Sequence, residues 1–132
     1  MSDARQRILI VDDEPDLLTV LKIGLESEGY DVLTAVDGEQ GLALARQFMP
    51  DLLVLDLMLP RLDGYKVCRA LKFDERYKKI PIFILSARSG ETDRRLALEL
   101  GADEFHSKPY EIHELVARVR ARIAARGGRT AA

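Results

Sequence analysis

Residues 51–64 read Asp51-Leu52-Leu53-Val54-Leu55-Asp56-Leu57-Met58-Leu59-Pro60-Arg61-Leu62-Asp63-Gly64. The run Leu52 to Leu55 is unbroken, apolar and too short for a stable helix. A run of this kind, closed by a polar residue, reads as a strand buried on both faces, the signature of a parallel sheet. The same form recurs outward in both directions. Ile8-Leu9-Ile10-Val11 and Val32-Leu33-Thr34-Ala35 precede it, Ile80 to Leu85 follows, and a weaker run surrounds Glu104-Phe105-His106.

Helix-period segments separate these runs. Leu17, Leu18, Leu21 and Leu25 share one face, and Leu42, Ala45 and Phe48 share another. In the fourth helix, Leu96, Ala97 and Leu100 form the expected core face. Ile112, Leu115, Val116, Val119 and Ile123 predict a final amphipathic helix. Pro15 suits a first helical turn. Asp37 with Gln40 three residues on is a capping-box variant. Asp63-Gly64 can start a third helix and Gly101 can stop a fourth. The expected architecture is therefore α/β, a strictly alternating (βα)5 with helices on both faces of the sheet and right-handed crossovers. The domain is expected over residues 7–125, after a polar tail at 1–6. Residues 126–132, with Gly127-Gly128, read as a frayed end or the start of a linker.

The 132 residues carry a net charge of -2, with 47% hydrophobic and 32% charged residues, an ordinary balance for one soluble domain. The chain lacks the bulk positive charge of a nucleic-acid binder. No apolar run reaches membrane length, and residues 1–7 contain no apolar signal region, so a cytoplasmic protein with no membrane partner is expected. The single cysteine, Cys68, permits neither an intramolecular disulfide nor a cysteine metal cluster, and is most simply a packed helix residue. His106 and His113 are isolated and read as surface or edge residues, not ligands.

The polar residues that end the strands carry the chemistry. Asp12 and Asp13 end the first, Asp56 the third, Ser86 the fourth and Lys108 the fifth. In a parallel sheet all strand C-termini lie along one edge, where ligands bind at the point of strand-order reversal. With the order 2-1-3-4-5, known for doubly wound sheets of this size, strands one and three are neighbours there and the three carboxylates converge. Taken singly, each of these residues is an ordinary turn, cap or surface residue; their shared position argues otherwise. Two unit charges roughly 5 Å apart at an effective dielectric of about 20 repel by about 3 kcal/mol. A divalent cation relieves that repulsion, and oxygen-only ligands with room for water suit Mg²⁺. A carboxylate beside the cation can act as the nucleophile toward a phosphoryl group. Lys108 adds positive charge for phosphoryl oxygens, and the Ser86 hydroxyl can donate to one.

Four segments together carry a family resemblance: Ile8 to Pro15 (ILIVDDEP), Asp51 to Gly64, Ile80 to Arg88 (IPIFILSAR) and Gly101 to Pro109 (GADEFHSKP). The chain resembles the receiver domain of two-component response regulators, a CheY-like, flavodoxin-like fold, over about residues 7–125. The resemblance implies that Asp56 takes a phosphoryl group from a phosphohistidine on a sensor histidine kinase or a histidine phosphotransfer protein. It implies Mg²⁺ held by Asp13, Asp56 and the backbone carbonyl of Met58, with Asp12 nearby. Ser86 and Lys108 would contact the phosphoryl group. Phe105 would occupy the aromatic switch position, with an expected inward bias because it has no hydroxyl. The Lys108–Pro109 peptide would be cis. Such a domain is a switch and catalyses only its own phosphorylation and dephosphorylation.

The charges of the fourth and fifth helices resemble the OmpR/PhoB class, which dimerises through this face. The implied cross-subunit pairs are Arg94 with Glu114, Glu99 with Arg120 and Glu104 with Arg118, around Leu98. The competing reading is a solvated face whose charges pair within each helix. Two outputs stay open: a stand-alone receiver acting on a target protein, or part of a longer regulator with a DNA-binding effector domain. From another class, a Mg²⁺-dependent phosphatase of the haloacid-dehalogenase type would need an Asp two residues after the nucleophile; Met58 stands there.

Overall fold

The computed structural model describes residues 5–88 and 90–131, with side chains as far as Arg126. Residues 1–4 of the tail expected at 1–6 lie outside the described residues, as does Ala132 at the other end. Each apolar run forms a strand: β1 (Arg7–Val11), β2 (Asp31–Ala35), β3 (Leu52–Asp56), β4 (Ile82–Ser86) and β5 (Glu104–Ser107). They make one parallel sheet in the order β2-β1-β3-β4-β5. Every residue of β3 and β4 is buried, as the central position of these strands requires.

The helices are α1 (Pro15–Glu26), α2 (Gly38–Phe48), α3 (Gly64–Lys72), α4 (Glu91–Glu99) and α5 (Ile112–Ala131). Because strand side chains alternate faces, the sheet builds two cores. Ile8, Ile10, Leu52, Val54, Phe83 and Leu85 face α1 and α5 through Leu18, Leu21, Leu25, Leu115, Val116, Val119 and Ile123. Leu9, Val11, Leu53, Leu55, Ile82, Ile84 and Phe105 face α2, α3 and α4 through Ala45, Val67, Cys68, Leu71 and Ala97. Burial pushes the Cys68 thiol up to about 11, so it is a packing group at neutral pH. Among the described residues no helix is long and apolar enough to cross a membrane.

The start signals act as read. Pro15 is in the first turn of α1. The Asp37 carboxylate accepts from the Gln40 N–H at 2.7 Å, and the Gln40 amide oxygen accepts from Val36 N–H at 3.0 Å. Asp63 caps α3 through Lys66 N–H at 3.0 Å. Gly101 ends the α4 region with a φ of 102°, in the left-handed range that glycine tolerates.

Four readings need correction. The fourth strand starts at Ile82, because Ile80 closes the preceding turn through its N–H to Tyr77 O at 3.0 Å. Leu96 is exposed, since α4 turns Ala97 and Leu100 toward the sheet instead. Phe48 is also exposed, at the end of α2, with the Arg7 guanidinium 5.1 Å from its ring centroid. Segment 126–132, read as a tail or linker, is helical as far as Ala131, where the backbone of α5 continues through Gly127-Gly128.

Two glycines allow α2 and α3 to press against the segment after β3. A Cβ at Gly38 would lie 1.7 Å from the Leu62 carbonyl oxygen, and one at Gly64 would lie 2.2 Å from the Asp56 carbonyl oxygen. Backbone bonds hold both approaches: Gly38 N–H to Pro60 O at 3.2 Å and Gly64 N–H to Leu57 O at 2.9 Å. Gly24, inside α1, has only ordinary contacts around a Cβ, the nearest at 3.7 Å. Gly38→Ala should therefore lower stability in urea unfolding by about 1–3 kcal/mol. Gly24→Ala should raise it by roughly 0.5–1 kcal/mol through helix propensity and a less flexible unfolded chain.

Candidate functional site

The register determines which strand-end residues meet. Val11 pairs with Leu55, so Asp12 comes level with Asp56 on the adjacent strand. Asp56 pairs with Leu85, which places Ser86 one residue beyond it, and Ser86 pairs with Ser107, immediately before Lys108. One sheet edge thus gathers Asp12, Asp13, Asp56, Ser86 and Lys108.

Carboxylate oxygens of Asp12, Asp13 and Asp56 lie within 4.8 Å of one another. Asp12 and Asp56 are buried, at 2% and 5% exposure, and Asp13 is open to solvent. The Lys108 ammonium offsets the crowding. Its Nζ donates to Asp12 Oδ2 at 2.9 Å, Asp56 Oδ2 at 3.0 Å and Glu14 Oε1 at 2.9 Å. The second oxygens are held by backbone: Asp12 Oδ1 accepts from Glu14 N–H at 2.9 Å, and Asp56 Oδ1 from Met58 N–H at 3.1 Å. Burial pulls the Lys108 pKa down, but its bonds to Asp12, Glu14 and Asp56 outweigh this and raise it, so the ammonium keeps its proton. Burial pushes the Asp12 carboxyl above its ordinary value, despite the hydrogen bond from Lys108.

Ser86 is fully buried; its Oγ accepts from Arg88 N–H at 3.0 Å and its carbonyl from Lys108 N–H at 2.9 Å. The Lys108–Pro109 peptide is cis. Met58 is exposed beside Asp13, on a cavity that Asp63, Tyr65 and Arg88 also line. Arg88 reaches Asp93 on α4 at 3.1 Å, and Asp93 accepts from the Tyr65 hydroxyl at 2.8 Å. Burial and this carboxylate push the Tyr65 phenol up to about 12.

Phe105 points inward, 7% exposed, within the core shared with α4. Four of the residues expected on a dimer face, Arg94, Glu104, Arg118 and Arg120, have side-chain partners within the chain. Arg118 pairs with Glu104, its Nε at 3.2 Å from Oε1. Arg120 pairs with Glu28 at 2.6 Å. The Arg94 guanidinium lies over the Phe105 ring. Leu98, Glu99 and Glu114 are exposed. His106 is half-buried on the edge strand and contacts Glu104 at 2.9 Å; His113 is exposed. Burial pulls the Glu104 carboxyl up, but hydrogen bonds from Arg118 and His106 prevail and hold it below its ordinary value.

Sequence reasoning missed Glu14 as a third partner of Lys108, although it directly follows the acidic pair. It also missed the Tyr65–Asp93–Arg88 chain and the contact of Arg94 with Phe105. Nothing in residue spacing announces those, because each joins residues of different elements or loops that only the folded surface brings together.

The oxygen-only donor set suits a hard divalent cation, and such an ion would compete with the Lys108 ammonium for the same carboxylates. Lys108→Met should therefore raise divalent-cation affinity about tenfold, roughly 1.4 kcal/mol, in calorimetric titrations with Mg²⁺, Mn²⁺ and Ca²⁺ in turn.

The sequence model of the response regulator receiver domain matches residues 8–120. The DNA-binding dual master transcriptional regulator RpaA of Synechocystis is 49% identical over 115 residues, covering 87% of this chain and 48% of RpaA. The DNA-binding response regulator MtrA of Mycolicibacterium smegmatis is 48% identical over 123 residues, covering 93% of this chain and 53% of MtrA. The chain spans about half the length of the curated relatives it matches. Among solved structures, a CheY-like response regulator receiver domain protein from Methanospirillum hungatei superimposes with a TM-score of 0.89 at 25% identity, covering 96% of this chain and 99% of that one.

Proposed function

The chain belongs to the response regulator receiver domain family of two-component signalling, and from that membership we propose that Asp56 is its phosphoacceptor in a Mg²⁺-dependent reaction. The observation that carries this reading is the single ammonium of Lys108 bridging Asp56 and Asp12 at the C-terminal edge of the sheet.

Asp56 is the carboxylate best placed to react. It stands at the end of a fully buried strand, and backbone fixes one of its oxygens. In the proposed step a carboxylate oxygen of Asp56 forms a bond to phosphorus. The bond from phosphorus to the donor imidazole nitrogen breaks, and its electron pair stays on that nitrogen. The product is an acyl phosphate on Asp56. Asp13, Asp56 and the Met58 carbonyl would hold the cation, with Asp12 beside it. When bound, Mg²⁺ supplies charge neutralisation at the phosphoryl oxygens. Lys108 moves its hydrogen bonds from carboxylate to phosphoryl oxygens, and Ser86 turns its hydroxyl toward another.

The phosphodonor is a sensor histidine kinase or a histidine phosphotransfer protein, and the setting is the cytoplasm. The protein acts as a signalling switch and turns over no metabolite. Residues 7–125 form the receiver unit. The phosphatase reading finds no support, since Met58 brings no carboxylate where that chemistry needs one. The curated relatives are DNA-binding regulators about twice the matched length, which favours a DNA-binding effector domain over a stand-alone target. The receiver itself makes no direct contact with nucleic acid.

Phosphorylation replaces the single charge of the Asp56 carboxylate with the roughly two negative charges and the strong acceptors of an acyl phosphate, and biases the surface of α4, β5 and α5 toward a homodimer. Leu98 would lie in its apolar patch. Arg94 with Glu114, Glu99 with Arg120 and Glu104 with Arg118 would set its register. Forming it requires Arg118 and Arg120 to exchange their present partners, Glu104 and Glu28 of the same chain. Exposed pairs contribute little each, so they govern alignment more than affinity.

Two measurements test this. Incubation with acetyl phosphate and Mg²⁺ should add one phosphoryl mass to the wild type and none to Asp56→Asn; an equal gain in both, or no gain, refutes the assignment. In sedimentation with beryllofluoride and Mg²⁺, the wild type should shift from monomer to dimer, and Arg118→Glu should stay monomeric. A wild type that remains monomeric at high concentration rules out the dimer.

A further inference from the structure

Phe105 is the one residue of the proposed switch without a polar group on its side chain. Its ring is packed on one side against the core beneath α4. Over the ring lies the guanidinium of Arg94, its Cζ 4.9 Å from the centroid. Arg94 Nη1 also points at the Phe105 carbonyl oxygen, 3.5 Å away. Arg94 is exposed, whereas Phe105 keeps only 7% of its surface in solvent. A charged residue on an exposed helix face has closed over a buried aromatic.

We propose that Arg94 is the positioning residue for Phe105, holding the ring inward through a cation–π contact. The inference rests on the reading of Phe105 as the switch aromatic and adds what controls its rotamer. A tyrosine at this position could be drawn outward by solvation of its hydroxyl. Phenylalanine offers only its ring face, and the group that recognises a ring face is a cation.

Arginine suits this task for a second reason. Its guanidinium stacks with its flat face and keeps its edge N–H groups for other acceptors. One of them already points at the Phe105 carbonyl, and the side chain that carries the rest is exposed on α4. A carboxylate from a second copy, such as Glu114 of the proposed dimer, can take those N–H groups without displacing the ring. Dimer pairing then fixes Arg94, and Arg94 fixes Phe105. The rotamer and the association support each other through one side chain. Lysine can supply the cation but not the flat edge.

Selective ¹³C labelling of the four phenylalanines provides the test, with the Phe105 signals assigned from Phe105→Leu. Exposure is read from relaxation caused by a soluble gadolinium chelate. Arg94→Gln keeps the length and polarity of the side chain and removes the charge. It should raise the relaxation of the Phe105 ring about fivefold, a factor worth about 1 kcal/mol. Arg94→Lys should stay close to wild type. The Arg94 Nε–H resonance should move downfield in Phe105→Leu, as the ring-current shift is lost. Equal protection of Phe105 in Arg94→Gln and wild type would overturn the proposal, and so would an Arg94 resonance indifferent to Phe105→Leu. Beryllofluoride with Mg²⁺ separates this from the reading beneath it. If the wild-type Phe105 signals ignore it, Phe105 is no switch, while the Arg94 variants still decide whether the contact holds the ring.

Discussion

Three carboxylates gathered at one sheet edge repel one another, and the ammonium of Lys108 is the counter-charge that lets them stay. Its three acceptors come from the end of β3 and from the loop after β1, while Lys108 itself follows β5. Without a cation the crevice depends on this one group. The cost of burying it is offset only because every acceptor it meets is anionic. On the proposed function the site is thereby prepared for exchange, since a metal ion or a phosphoryl group would enter by taking over contacts that already exist.

The sheet makes this convergence possible. Parallel strands buried on both faces end together, and their ends are the first positions where polar side chains are tolerated. Alternation then divides the apolar residues between the α1/α5 and α2/α3/α4 cores, so the strands are held from both sides. Close approach at Gly38 and Gly64 fixes the segment carrying Met58 against the start of α2 and the end of β3. Asp56 therefore sits on a rigid strand, with the segment that follows it braced against α2 and α3.

Much of this was legible in the sequence, for physical reasons. Leu52 to Leu55 and Ile82 to Leu85 could be read because strands buried on both faces have no room for polar residues. Asp12, Asp13, Asp56, Ser86 and Lys108 could be read because topology alone brings strand ends together. The short edge strand β5 gave a weak signal, since only Phe105 on it is deeply buried. Leu96 misled, because α4 is held to the sheet by little more than Ala97 and Leu100, and a three-residue apolar face does not fix a helix's rotation. The partners of Arg94, Arg118 and Arg120 were hidden for another reason. A long cationic side chain can reach many acceptors, and only the folded surface selects among them.

The fifth helix carries a mechanical consequence. Twenty residues of continuous helix make a rod about 30 Å long. Arg118 fastens it to β5, Arg120 to Glu28 beyond α1, and Arg126 to the carbonyl of Asp51 ahead of β3. Alongside these contacts Leu115, Val116, Val119 and Ile123 are buried against the sheet, so the helix packs as one continuous element. A small tilt begun beside β5 would be carried to the far side of the molecule as the sweep of a lever. The five residues beyond Arg126 extend that lever by roughly 7 Å at the rise of an α-helix.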